Sequence, residues 1–490
     1  MPLYAFFVGR ITPALKNRFM VSIMMKKTII RVCLVAALGV SVSACFGDNQ
    51  NQSPEVETTV HAEQPINLLT TKVPFANRFA QDVVWAVNLG GQAYSASYGL
   101  EFEQGAAVSS LPIGEVDSIL GSQDSGLYQT YFEGEFEISR VLPNGTYDVT
   151  FLFAEPEETA VGDRVFDVYV NGKVELERID IRGMRDGKVK SALDKTVQKI
   201  AVNNGRLDIK LAALKGKPVI SGLIIRRYQN DSQQWQMVWN DEFDYSGQPD
   251  PSKWSYNEWP ARKVNDEDQV YTSREKNVRV ENGKLIIEAH KEQYDNGEYT
   301  SGRIHTLGTA DLLYGRIDVR AKLPAGRGTW SAIWMLPSDP YKYSTTCKPN
   351  EDWQGSQTCD AWPNSGEIDL MEHVGFDMHN VHGTVHNKAY YWINWEQRKG
   401  AINARNVDEE FHVYSVEWSP EHITVLMDGT PYFTYINEHT GWRAWPFDHP
   451  YHLILNLAIG GMWGRAGGPI DDSIFPVQME IDYVRFFTQS

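Results

Sequence analysis

Ser365-Gly366-Glu367-Ile368-Asp369-Leu370-Met371-Glu372-His373-Val374 places three carboxylates inside an apolar, strand-like run. Burying a charge is costly unless it is paired or used, so three acids in one strand need a reason. Glu367 and Asp369 are two apart and share a face of a strand, whereas Glu372 is five from Glu367 and would point the other way. One β-bulge near Leu370-Met371 supplies an extra residue and returns all three acids to one side. The expected element is therefore a bulged strand.

Retaining glycoside hydrolysis uses such a row. It needs a carboxylate nucleophile and, about 5–5.5 Å away, a carboxylic acid that protonates the leaving oxygen. A third acid between them can hold a shared proton and drive the pKa values apart. The assignment is Glu367 as nucleophile, Asp369 as its partner and Glu372 as acid/base. Cα atoms two apart on a strand lie roughly 6.5–7 Å apart, so the outer acids are expected to lean inward. The competing readings are a solvated strand face or a calcium loop. A calcium loop normally brings Gly and Asn/Asp at turn spacing, and Ile368, Leu370 and Met371 are wrong for that.

The stretch Gly366 to Glu372 resembles the signature of glycoside hydrolase family 16, in the bulged form of laminarinases. The resemblance runs from about Trp239 to Phe487. It includes Asp241-Glu242-Phe243-Asp244, Ser301-Gly302-Arg303-Ile304, Trp330 to Pro337, His382-Gly383-Thr384-Val385-His386 and Asn456 to Gly461. It implies a β-jelly-roll sandwich with an open cleft on its concave face and no catalytic cofactor. It further implies substrate-binding roles for Trp330, Trp334, Arg303, His386, Trp362 and Trp463, with Asn265 and Glu267 at the cleft wall. Met462 stands where laminarinases commonly show Asn. A structural calcium on the convex face is implied at Glu242, Gly283 and Asp482, all oxygen donors.

Three function classes compete. The favoured one is an endo-acting retaining β-1,3-glucanase acting on laminarin-like chains. The alternative is a galactanase of the same family for agar, porphyran or carrageenan-type polymers, which needs cleft cations; Lys342, Lys348, Lys388, Arg398 and Lys399 are candidates. A non-catalytic glycan-binding protein ranks last because all three acids are present.

Composition agrees with a carbohydrate-facing protein. Fifteen Trp in 490 residues exceed what a core needs, and exposed indoles make platforms for sugars. Net charge is −17; residues 1–44 hold six Lys/Arg and no acid, so the remainder carries −23. That excludes nucleic acid as a partner, and a monomer is expected.

Lys26, Lys27 and Arg31 precede an apolar segment, Val32 to Val42, that reads as an export signal. Val42-Ser43-Ala44-Cys45 resembles a bacterial lipobox, with Cys45 the lipidation site and Phe46 after it favouring the outer membrane; that anchor would be the chain's contact with the membrane, and the alternative is an ordinary secretory signal and a secreted protein. Cys347 and Cys359, twelve apart in a polar loop, are expected to form a disulfide in an oxidising compartment. Residues 46–72 read as a flexible polar tether. Residues 73–228 alternate as strands with turns such as Pro143-Asn144-Gly145 and Asn171-Gly172. Val87 to Gly91, Leu127 to Thr130, Phe153-Ala154-Glu155 and Arg164 to Val168 resemble malectin-like carbohydrate-binding modules, with Pro156-Glu157 replacing malectin's aromatic pair. Tyr94, Tyr128 and Tyr131 are left as candidate sugar-stacking groups. The expected organisation is all-β: signal segment with lipobox (1–45), tether (46–72), malectin-like β-sandwich (73–228) and jelly-roll catalytic domain (229–490).

Overall fold

Alternating apolar residues pair into strands that bury one face, and two such patterned sheets close on each other as a sandwich. The chain does this twice. The computed structural model describes residues 67–69 and 80–489, apart from 106–107, 186 and 229–234. The expected signal segment, Cys45 and most of the expected tether lie outside the described residues.

The strands that build the first sandwich are β1 (Val83–Asn88), β2 (Gly145–Ala154), β3 (Val165–Val170), β4 (Lys173–Ile179), β5 (Ala192–Val202), β6 (Arg206–Lys215) and β7 (Gly222–Arg227). One sheet runs β5-β2-β7-β1, and the other is β4-β3-β6 with Phe136–Val141 at its edge. Val149, Phe151 and Leu223 meet Phe166, Val168 and Ile209 between them.

In the second sandwich, β8 (Thr329–Pro337), β9 (Glu367–Val374), β10 (Asn380–His386), β11 (Arg398–Asn403) and β13 (Tyr451–Ile459) lie side by side, in the order β13-β8-β9-β10-β11. The opposite sheet includes β12 (Thr430–Ile436) and β14 (Val477–Gln489). The core between the sheets draws Ile333, Ile368, Leu370, Met371 and Ile402 against Val416, Val425, Tyr432 and Val484.

The two sandwiches share a sheet. Strand β5 pairs in parallel with β11, setting Lys195 beside Ala401 and Thr196 beside Ile402. A fifteen-stranded sheet thus crosses from one sandwich into the other. The joining of an edge strand to a neighbour removes a row of unpaired backbone groups. Side chains add to the seam: Arg226 Nη1 donates to the Pro431 carbonyl at 3.0 Å, and Gln123 exchanges hydrogen bonds with the Ile436 backbone. Lys195 is buried there and donates to Asn380 Oδ1, and the Asn380 amide donates to Asp377 at 2.5 Å.

One expectation fails in the first sandwich. Tyr128 is 3% exposed and its hydroxyl donates to the half-buried Asp194, so it cannot stack on a glycan. Its periodic position reads the same whether the ring faces solvent or a second layer; here the ring packs with Leu100, Phe102 and Leu127.

Candidate active site

The expected bulge is present. Against β8, Ile333 pairs with Met371 and Trp334 with Asp369, so Leu370 is the extra residue. Against β10, Asp369 pairs with Thr384 and Glu372 with His382, so three steps on one strand meet two on the other. Leu370 and Met371 both turn into the core, fully buried, which sends Glu367, Asp369 and Glu372 to the opposite face together. The Tyr432 hydroxyl from the facing sheet donates to the Leu370 carbonyl at 3.0 Å and satisfies a group the bulge would otherwise strand.

Each outer acid accepts from an indole. Trp362 Nε1 donates to Glu367 Oε2 at 3.1 Å, and Trp330 Nε1 to Glu372 Oε1 at 3.2 Å. His386 Nε2 stands 3.7 Å from both Glu367 Oε1 and Asp369 Oδ2. Asp369 Oδ2 is buried without a hydrogen-bond partner. Trp463 rests edge-on against Trp330 and packs on His382, 5.7 and 5.2 Å between ring centres.

Trp330 and Trp334 do share a face of β8, both half-buried. Trp334 Nε1 donates to Asn456 Oδ1 at 2.7 Å, and the Asn456 amide reaches the Tyr271 hydroxyl at 3.1 Å. Arg303 lies between the Trp259 and Trp334 rings, 4.3 and 4.7 Å from their centres, with Nε on Asn257. Glu267 is buried and collects hydrogen bonds from Asn265, Gln269 and Tyr271. Asn265 also accepts the Met462 amide on its carbonyl, at 2.9 Å, bracing the turn that carries Trp463.

Burial, then Glu367 and Glu372, push the Asp369 pKa well above the carboxylate range. Burial and Glu372 push Glu367 the same way, while the Trp362 N–H and the Arg303 charge hold it back. With Asp369 buried between two other carboxylates, the three cannot all ionise, so a proton is held within the row. Burial, then Lys399 and Lys188, depress His386 to about 3, which keeps its imidazole neutral at neutral pH.

Cys347 and Cys359 form the expected disulfide, with Cα atoms 4.7 Å apart, in the loop preceding β9. The carboxylates expected to hold calcium are occupied differently. Glu242 takes both nitrogens of an Arg485 fork at 2.7 and 2.8 Å, and Asp482 accepts from Arg320 at 2.6 Å. Glu242 and Asp482 are thus each paired with a guanidinium group.

Sequence reasoning passed over His382, Asn456 and Tyr271 as site residues. Asn456 sits on β13, paired with Ala332 of β8; the signal was an amide in a strand that is apolar apart from it and His452.

The Asp369 environment sets a pH prediction. A carboxyl whose folded pKa is raised gives stability below its unfolded pKa and loses it as pH rises through the folded value. Asp369→Asn carries no such cost. Its stability advantage over the wild type should therefore widen from about pH 5 to about pH 8, read by thermal melts, while activity falls about 10²-fold. A gap that is flat or narrows with pH would contradict the shared-proton arrangement.

Residues 265–485 match the family model for glycosyl hydrolases family 16, and residues 83–230 match that for the malectin domain. The chain is 48% identical over 259 residues to a beta-glucanase of Rhodothermus marinus, covering 52% of this chain and 85% of that protein. It is 35% identical over 280 residues to the glucan endo-1,3-beta-glucosidase A1 of Niallia circulans, covering 52% and 38%. It is 31% identical over 256 residues to a keratan-sulfate endo-1,4-beta-galactosidase of Sphingobacterium multivorum, covering 52% and 55%. With most of the first relative spanned at that identity, and the bulged acid strand in place, the chain belongs to glycoside hydrolase family 16 and carries a malectin domain ahead of its catalytic domain.

Proposed function

We propose that this protein is an endo-acting retaining glycoside hydrolase that cleaves β-1,3-glucan by double displacement. The observation that carries the reaction type is the bulge that sets Glu367, Asp369 and Glu372 on one face. Glu367 attacks the anomeric carbon, and Glu372 protonates the departing glycosidic oxygen. Water, deprotonated by Glu372, then releases the glycosyl group from Glu367. Asp369 takes up the proton that Glu367 must not hold while it attacks, and neutral His386 adds no positive charge beside the acids. Two carboxyls and a water complete the cycle, so no catalytic cofactor is needed. Trp330, Trp334, Trp362 and Trp463 supply faces and edges on which sugar rings can stack, and Arg303, fixed by two rings, offers donors to hydroxyl groups.

The glucan substrate is supported by the beta-glucanase relative, at 48% identity. The galactan alternative draws on the galactosidase relative. Two of its five candidate cations are engaged: Arg398 is buried against the Tyr390 ring and paired with Glu396, and Lys342 is paired with Asp448. The domain division at 228/229 belongs to this reading, and so does a monomeric enzyme. So does lipidation at Cys45, with placement in the outer membrane, which rests on the sequence from Lys26 to Phe46; recovery of a Cys45→Ser variant still bound to membranes would sink it. A structural calcium at Glu242, Gly283 and Asp482 rests on its oxygen donors alone, and an unchanged melting temperature with calcium or chelator would leave the arginine pairs as the structure there.

Sugar release from laminarin, mixed-linkage glucan, agarose and carrageenan tests the main reading. Laminarin hydrolysis is expected, and Glu367→Ala should lower it at least about 10⁴-fold. Release from a galactan only would keep the mechanism and overturn the substrate.

A further inference from the structure

The register of the shared sheet shows what lies at one end of the cleft. A single row of neighbours runs Ala332, Glu372, His382, Ala401 and Lys195, from β8 to β5. Residues paired this way share a face, so Lys195 of the malectin domain stands on the face that carries the acids. On β5 that face also bears Leu193 and Val197, which pack inside the first sandwich against Val168 and Leu176 of β3 and β4. The floor of the cleft therefore continues directly under the second sheet of the malectin domain. That sheet rises on the cleft side and blocks the way.

Contacts at the foot of the wall agree. Asn403, which shares the cleft face with Asn380, donates to the Glu175 carbonyl of β4 at 2.7 Å, and Arg405 Nη2 donates to the Val174 carbonyl. The chain beyond β4 reaches the loop between β10 and β11, where Lys188 Nζ stands 5.5 Å from the centre of the Trp395 ring. Lys188 is 6% exposed, whereas Trp395 is 51% exposed. An indole so exposed, yet backed by a buried cation from another domain, is a held platform rather than a core residue. Four residues before it, Tyr391 lies edge-on to Trp362, the indole that donates to Glu367.

We propose that the malectin domain closes one end of the substrate cleft, and that Trp395, seated on Lys188, is the last surface a glucan chain meets there. The occupant is the terminal few units of the β-1,3-glucan, so the inference rests on the glucanase reading above. From β9 to β5 is three strand spacings, about 14 Å, which leaves room for only a few sugar units on that side. On the other side the floor passes Trp334 and Arg303 to the strand Arg303–His305 and then to Ser255–Tyr256. The malectin domain sets the length of one product.

The test uses the full chain with β-1,3-glucan oligosaccharides of four to eight units labelled at the reducing end, sizing both fragments of each cut. The fragment from one end should stay at or below a fixed length however long the substrate, while the fragment from the other end lengthens. Trp395→Ala should raise KM for the longer oligosaccharides about three- to tenfold, more than it lowers kcat, and Lys188→Ala should shift KM in the same direction. Fragments that lengthen at both ends as the substrate grows would overturn the wall and leave the glucanase reading standing. So would a KM for the longer oligosaccharides that neither variant moves. Absence of any hydrolysis would overturn the glucanase reading and this inference with it.

Discussion

The arrangement depends on one unpaired residue. Leu370 is the residue β9 has in excess of its two neighbours; were the same residues to alternate regularly, with no bulge, Glu372 would point into the core beside Ile368 and Leu370. A lone carboxylate there would find no water, and its charge would be prohibitive. The bulge removes that conflict by burying two consecutive apolar side chains, Leu370 and Met371, and by returning the acid to the cleft. Its own cost, a carbonyl displaced from the ladder, is offset by the Tyr432 hydroxyl. The facing sheet thus holds the catalytic register from behind.

With the acids aligned, the surroundings divide their roles. Glu367 receives an indole N–H and the field of Arg303, both of which favour its charged form. Asp369 has burial and two like charges against it and nothing on Oδ2. Of the two, Asp369 is the one that keeps the proton. The second layer fixes these partners in turn: Glu267 collects Tyr271 and Gln269, Tyr271 meets Asn456, and Asn456 orients Trp334. Such a chain of hydrogen bonds positions rings and charges before any sugar arrives.

What could be read in the sequence was local. The acid spacing required a bulge, the four-residue spacing of Trp330 and Trp334 put them on one face, and two cysteines in one loop paired. What escaped was non-local. Tyr128 looks like a stacking ring until a second layer covers it. Glu242 and Asp482 gave no local sign that Arg485 and Arg320, 243 and 162 residues away, would pair with them. Lys195 gave no local sign that it would cross into another sandwich, because parallel pairing between domains leaves no turn or short-range spacing to find. Asn456 gained its place only through β13 lying beside β8.

The shared sheet makes the two domains one scaffold for a cleft with a built floor and a built end, and the acids sit within three strands of the junction. The bulge sets Glu367 and Glu372 for double displacement. The most direct measurement is proton NMR of the anomeric signals during the first minutes of laminarin hydrolysis, before mutarotation mixes them. Double displacement requires the newly freed end to appear first as the β-anomer, with the α-anomer growing in later. Initial release of the α-anomer would mean single displacement and would contradict the roles assigned to Glu367 and Glu372.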